Sequence, residues 1–218
     1  VYIIGFARTS TTGWSVAMLE LGFTVAHTAY THKAFSDAQV MADTPIYCDY
    51  QTLDKRYPNS LFIYLSRDLS QWLPSIKQLL NRMSVNLLRD DGGFNPAIKR
   101  CFTSVFSPFT KQNINDEGFL TTCYLTHQHQ VRDYFANRSQ DLLSINISEQ
   151  GSYQRLVDFL FQELTNNLPA GFETAAKQGG FQQLNTGAKV TAWKDLNHPL
   201  KIASTNNGRA SNLDYLNN

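Results

Sequence analysis

The stretch Gly5-Phe6-Ala7-Arg8-Thr9-Ser10-Thr11-Thr12 is the feature that most constrains what this chain can fold into. It follows Val1-Tyr2-Ile3-Ile4, a β-branched and aromatic run that reads as a buried strand. It precedes Trp14, Ala17, Met18 and Leu21, which fall at i, i+3, i+4 and i+7, the spacing of one helical face. Gly22 then supplies a C-terminal stop. A strand turning sharply into a helix leaves unpaired backbone N–H groups at the turn, and the helix dipole favours an anion there. Arg8 and the hydroxyls of Thr9, Ser10, Thr11 and Thr12 suit such a cradle.

Two familiar nucleotide loops are excluded. A Walker A loop needs a second glycine followed by Lys and Ser/Thr, whereas Gly13 is followed by Trp14. The Gly-x-Gly-x-x-Gly dinucleotide fingerprint is also missing. For the loop alone, the plainer alternative is a capped helix with Arg8 in a structural ion pair.

A second basic position follows another strand. Ser60 to Ser66 is a continuous apolar run between polar ends, the pattern of a strand covered on both faces, and Arg67 comes next. Leu69, Trp72, Leu73, Ile76, Leu80 and Met83 then mark one helical face. Pro74 is tolerated only near a first turn, which predicts a helix start near Ser70 and places Ser75 early in it. Arg67 and Ser75 could face one anion with a guanidinium fork and a hydroxyl. The plain alternative is a salt-bridged Arg67 and a surface serine.

Together these features resemble the P-loop-like sulfotransferase superfamily, whose members transfer a sulfuryl group from 3′-phosphoadenosine 5′-phosphosulfate. Arg8-Thr9-Ser10-Thr11-Thr12 is similar to the family's 5′-phosphosulfate loop, a cation followed by Ser/Thr-Gly-Thr-Thr. Arg67 and Ser75, eight positions apart, have the spacing of its 3′-phosphate site. Leu21 to Val25, Tyr57 to Ser60, and the stretch from Tyr134 through Leu160 also look like family segments, so the resemblance covers roughly residues 1 to 165. Two departures stand out. Arg8 replaces the usual Lys, and a guanidinium stabilises charge without donating its proton. Ser10 replaces the usual glycine.

The resemblance implies an α/β, three-layer P-loop-like fold with a mainly parallel central sheet flanked by helices. It implies a transferase acting in line and without a metal on a hydroxyl or amine of a small-molecule or glycan acceptor. Arg8, Thr9, Ser10, Thr11 and Thr12 would hold the phosphosulfate, with Arg8 also stabilising leaving-group charge, and Arg67 and Ser75 would hold the 3′-phosphate. Met41-Ala42-Asp43-Thr44-Pro45 resembles the family stretch that carries a catalytic His or carboxylate two residues before a proline, which makes Asp43 the expected base. Asp43 could instead simply cap the turn at Thr44-Pro45. His27, at the end of the second strand, is the rival base and is better poised near neutral pH. The alternatives are a P-loop phosphotransferase or a nucleotide-binding module without catalysis.

The 218 residues suit one domain, with a core over 1–165 and a polar tail or lid over 166–218. Thr186-Gly187-Ala188-Lys189 with Trp193-Lys194, or Asn207-Gly208-Arg209, could close over a nucleotide. Residues 84–118 break the strand–helix rhythm and predict a helical insertion beside the acceptor. A net charge of +1 argues against nucleic acid as partner. No 18-residue apolar span occurs, so no membrane span is expected. Cys48, Cys101 and Cys123 form no metal-ligand spacing, and their odd number suggests a reducing, cytoplasmic setting.

Overall fold

Along β1 (Tyr2–Ile3) and β4 (Phe62–Ser66), successive side chains enter two different cores. Tyr2, Phe62 and Tyr64 join one apolar cluster, and Ile3, Ile63 and Leu65 join the other. A sheet apolar on both faces must be covered on both, which gives three layers. The computed structural model describes residues 1–181 and 193–204.

With β2 (Val25–His27), β3 (Val40–Ala42) and β5 (Leu142–Asn146) these strands form one parallel sheet in the order β2-β3-β1-β4-β5. Among the described residues eight α-helices flank it: α1 (Thr11–Glu20), α2 (His32–Asp37), α3 (Ile46–Arg56), α4 (Leu69–Leu88), α5 (Pro96–Val105), α6 (Glu117–Tyr134), α7 (Ser152–Leu164) and α8 (Phe172–Gln178). Helices α3, α4, α5 and α6 supply the first cluster through residues such as Tyr47, Trp72, Cys101 and Leu120. The second is closed by Trp14 and Met18 of α1, Leu156 and Leu160 of α7, and Phe172 of α8. The architecture is the α/β fold expected from the sequence.

The strand that the sequence pattern does not reveal is β3. It has three residues, too few for a periodicity, yet it sits between β1 and β2. Asp43 therefore follows a strand of the sheet instead of lying in a connection. Helix α4 begins at Leu69, one residue before the expected start, with Pro74 as its sixth residue. The 84–118 region carries the end of α4, all of α5 and the start of α6, with loops over 89–95 and 106–112. In it α5 starts where Asn95 accepts a hydrogen bond from the Ile98 amide at 2.9 Å and Pro96 takes the first turn.

Beyond residue 166 the described chain packs on the core. Phe172 is buried against Phe23. The Val25 amide donates to the Leu200 carbonyl at 3.0 Å and the Ile202 amide to the Val25 carbonyl at 2.9 Å. Residues 186–189 and 207–209, expected as parts of a lid, lie outside the described residues. Among the described residues no helix is long and apolar enough to cross a membrane.

His127 belongs to this core. Its Nε2–H donates to the Tyr47 carbonyl at 3.0 Å and its ring lies 4.1 Å from that of Phe6. Burial holds its pKa down to about 4, against the small opposing pull of the Tyr47 carbonyl. The unfolded chain binds this proton near pH 6.5, so the folded state loses stability as pH falls from there through 4. Replacing His127 by Phe should flatten the acid slope of a urea-denaturation series by on the order of 3 kcal/mol between neutral pH and pH 4. A second prediction concerns Gly5. A Cβ there would stand 2.4 Å from Leu65 Cβ and 2.6 Å from Thr9 Oγ1. Gly5→Ala should destabilise by about 1–3 kcal/mol, read as a fall in Tm of several degrees.

Candidate active site

Four parallel strands bring a candidate residue to the same carboxyl edge of the sheet, where ligands of open α/β sheets bind. The Arg8 loop leaves β1, His27 ends β2, Asp43 follows β3 and Arg67 follows β4. Of the five non-glycine residues with positive φ among those described, Arg8 (73°), Ser10 (72°), Thr28 (65°) and Asp43 (66°) lie along this edge. Such backbone strain concentrates where geometry is imposed by function.

Ser10 is the N-cap of α1, but its left-handed backbone directs no side-chain bond to the first turn. That conformation is one that glycine adopts without strain. Thr9 turns inward. It is buried, and both its hydroxyl (2.7 Å) and its amide (3.2 Å) donate to the Phe6 carbonyl. Thr9 thus shapes the loop and is not brought together with the other hydroxyls. Thr11 and Thr12 face His27, whose Nε2 lies 3.2 Å and 3.5 Å from their hydroxyl oxygens.

The two basic positions meet. Arg67 Nη1 donates to the Arg8 carbonyl at 2.9 Å, and Arg8 Nε donates to Ser75 Oγ at 2.7 Å. Expected at opposite ends of one ligand, Arg8 and Ser75 are here directly bonded. Trp72 of α4 fixes the loop from below through its indole N–H on the Ala7 carbonyl at 3.1 Å. Tyr124 of α6 clasps the end of β4, its hydroxyl accepting from the Arg67 amide (2.8 Å) and donating to the Arg67 carbonyl (3.1 Å). Burial, then Arg67 and then Arg82 push the Arg8 pKa down. Among the described residues no carboxylate pairs with Arg8, Arg67 or Arg82. Sequence reasoning missed Arg82, although its place seven residues after Ser75 on one helix was a usable signal.

The two rival bases are neighbours. His27 Nε2 lies 3.6 Å from Asp43 Oδ2, while Asp43 Oδ1 accepts from the Thr44 amide at 2.7 Å. Asp43 therefore fills the turn role and still presents an oxygen to His27. His27 is 6% exposed, and the Asp43 side chain keeps 20% of its surface. Burial lowers the His27 pKa, Asp43 raises it and Lys201 lowers it again. Next to this edge a cleft of about 860 Å³ opens between α3 and α6, with Phe6 and Tyr47 at its floor and Ser104 and Ser107 at its rim. Neither Arg8, Asp43, Arg67 nor Ser75 lines it. The donors gathered here suit an anion: the arginines repel one another, and Ser10 gives the first turn of α1 no side-chain cap.

Ser10→Gly should relieve the left-handed serine. The gain, less the added freedom of the unfolded chain, should raise the unfolding free energy by up to about 1 kcal/mol in urea titration.

Comparison with known proteins adds one finding. A search of curated proteins returns no match. The model of the sulfotransferase domain family matches residues 27–177, a span that holds His27, Asp43, Arg67 and Ser75 and begins after the Arg8 loop. With the parallel sheet and the convergence of these residues at its carboxyl edge, the chain belongs to the sulfotransferase domain family.

Proposed function

We propose that the chain transfers the sulfuryl group of 3′-phosphoadenosine 5′-phosphosulfate to a hydroxyl or amine of a small-molecule or glycan acceptor. The observation that carries this reading is the cluster of Arg8, Arg67 and Arg82 beside the N-terminus of α1, with no carboxylate partner among the described residues. Like charges held together in a partly buried place favour a polyanion with more than one charged group. Arg67 and Ser75 take the 3′-phosphate. Arg8, Ser10, Thr11 and Thr12 take the phosphosulfate, and Thr9 keeps their loop in shape. The donor supplies an electrophilic sulfur and a leaving bisphosphate. Arg8 and the α1 amides stabilise charge as it gathers on the leaving side. Asp43, more exposed than His27, takes the acceptor proton, and His27 holds the carboxylate from behind.

On this reading the chain is one domain whose core, residues 1–165, carries the site, with residues 193–204 returning to the sheet beside it. On the same reading the 84–118 helices border the acceptor. The free thiols of Cys48, Cys101 and Cys123 are in keeping with a cytoplasmic setting.

Titration calorimetry tests the donor. Adenosine 3′,5′-bisphosphate should bind at micromolar concentration without magnesium, and Arg67→Ala should weaken it by about 10- to 100-fold. Asp43→Asn should leave that binding intact and lower sulfuryl transfer by about 10²- to 10⁴-fold. Preference for magnesium–ATP would point to a phosphotransferase, and binding with no turnover to a module without catalysis. Either result overturns the proposal.

A further inference from the structure

The residues that return to the sheet after α8 pack on His27. The indole of Trp193 stacks on the imidazole, with ring centroids 5.3 Å apart and planes 27° apart. Lys201 fixes that indole: its Nζ donates to the carbonyls of Trp193 (2.6 Å) and Leu196 (2.8 Å) and lies 5.1 Å from the centre of the indole ring. Lys201 is itself bridged to Val25, two residues before His27 on β2. Ser204 completes the grip, its hydroxyl donating to the His27 carbonyl at 2.9 Å. The Trp193 indole N–H is buried and has no hydrogen-bond partner among the described residues. The side chain therefore contributes its flat face, and hydrogen bonding gives no reason for its place.

We propose that Trp193 is a positioning residue for the His27–Asp43 pair. Its face sets the rotation of the imidazole so that Nε2 points to Thr11, Thr12 and Asp43, and it keeps water off the ring. This rests on the reading of Asp43 as the base that takes the acceptor proton. The physical case has two parts. An imidazole turns readily about its Cβ–Cγ bond, and a stacked ring stops that rotation. A neutral His27 also leaves Asp43 free to accept a proton, whereas an imidazolium 3.6 Å away would hold the carboxylate in an ion pair. Among the described residues the ionisable groups acting on His27 are Asp43 after β3, which favours the charged ring, and Lys201 from the returning segment, which opposes it, and Lys194 lines the same cleft as His27. Helix α1 presents only Thr11 and Thr12. Removing the aromatic cover admits water and lets the influence of Asp43 prevail.

The test compares Trp193→Leu, which keeps apolar bulk without a flat face, with Trp193→Phe, which keeps the face. The ring protons of His27 are followed by NMR across about pH 4 to 8 in the full chain without ligand, alongside the pH profile of sulfuryl transfer. In the leucine variant the His27 titration should rise by about one pH unit and the acid limb of kcat should move with it. Turnover at neutral pH should fall about ten-fold, with the donor KM unchanged. The phenylalanine variant should stay within about two-fold of the unsubstituted chain. If Leu unfolds the returning segment, shown by a lowered Tm, Trp193→Met takes its place. Leucine or methionine variants that titrate like the phenylalanine variant overturn the proposal. If the chain transfers no sulfuryl group at all, the unsubstituted protein shows no turnover while the NMR comparison still decides the role of Trp193.

Discussion

Where β1 leaves the sheet, Gly5 lies against the side chain and carbonyl of Leu65 on β4, and the geometry of the candidate site descends from that contact. With no side chain at position 5, the chain turns at once, takes the Trp72 indole bond on the Ala7 carbonyl and reaches the helix in a few residues. The same closeness brings Arg67, two residues past Leu65, within reach of the Arg8 carbonyl. A longer or looser exit from β1 would separate the loop from Arg67 and Ser75, and the two cationic positions would then act as independent surface charges of little consequence.

The electrostatic design follows from the packing. Elsewhere in the molecule buried acids and bases are matched: Asp49 with Arg100, and Asp54 with both Arg138 and the Tyr134 hydroxyl. At the carboxyl edge the matching stops. Arg8 and Arg67 are held by carbonyl and hydroxyl oxygens instead, which fix a guanidinium without neutralising it. The fold thus stores mutual repulsion at one place, which on the proposed reading a bound anion relieves. On the other side of the loop the negative group, Asp43, is kept close to a histidine that burial holds neutral. On the proposed reading this sets the cationic groups that face the donor apart from the carboxylate that faces the acceptor.

Much of this was legible in the sequence because the informative residues carry their own physics. The Gly5–Thr12 turn announced itself through the change from strand to helix periodicity, and the Arg67–Ser75 spacing through a helix that starts just after a strand. The α/β class and the long helices were likewise open to reading. What escaped was set by distance along the chain. β3 is too short for any pattern and exists because β1 and β2 pair with it. The direct bond between Arg8 and Ser75 spans 67 positions, and the bond from Arg67 to the Arg8 carbonyl spans 59. The stacking of Trp193 on His27 links residues at nearly opposite ends of the described chain. No local rule reports such pairings.

The bridge between Lys201 and Val25 has a consequence beyond the site. β2 is the last strand on its side of the sheet, and its backbone would otherwise offer open donors and acceptors flanked by apolar Val25 and Ala26. Such a row invites another chain to add itself as a strand. The residues around Leu200 close it with a short piece of the same polypeptide, so the segment that steadies His27 also guards the sheet against self-association.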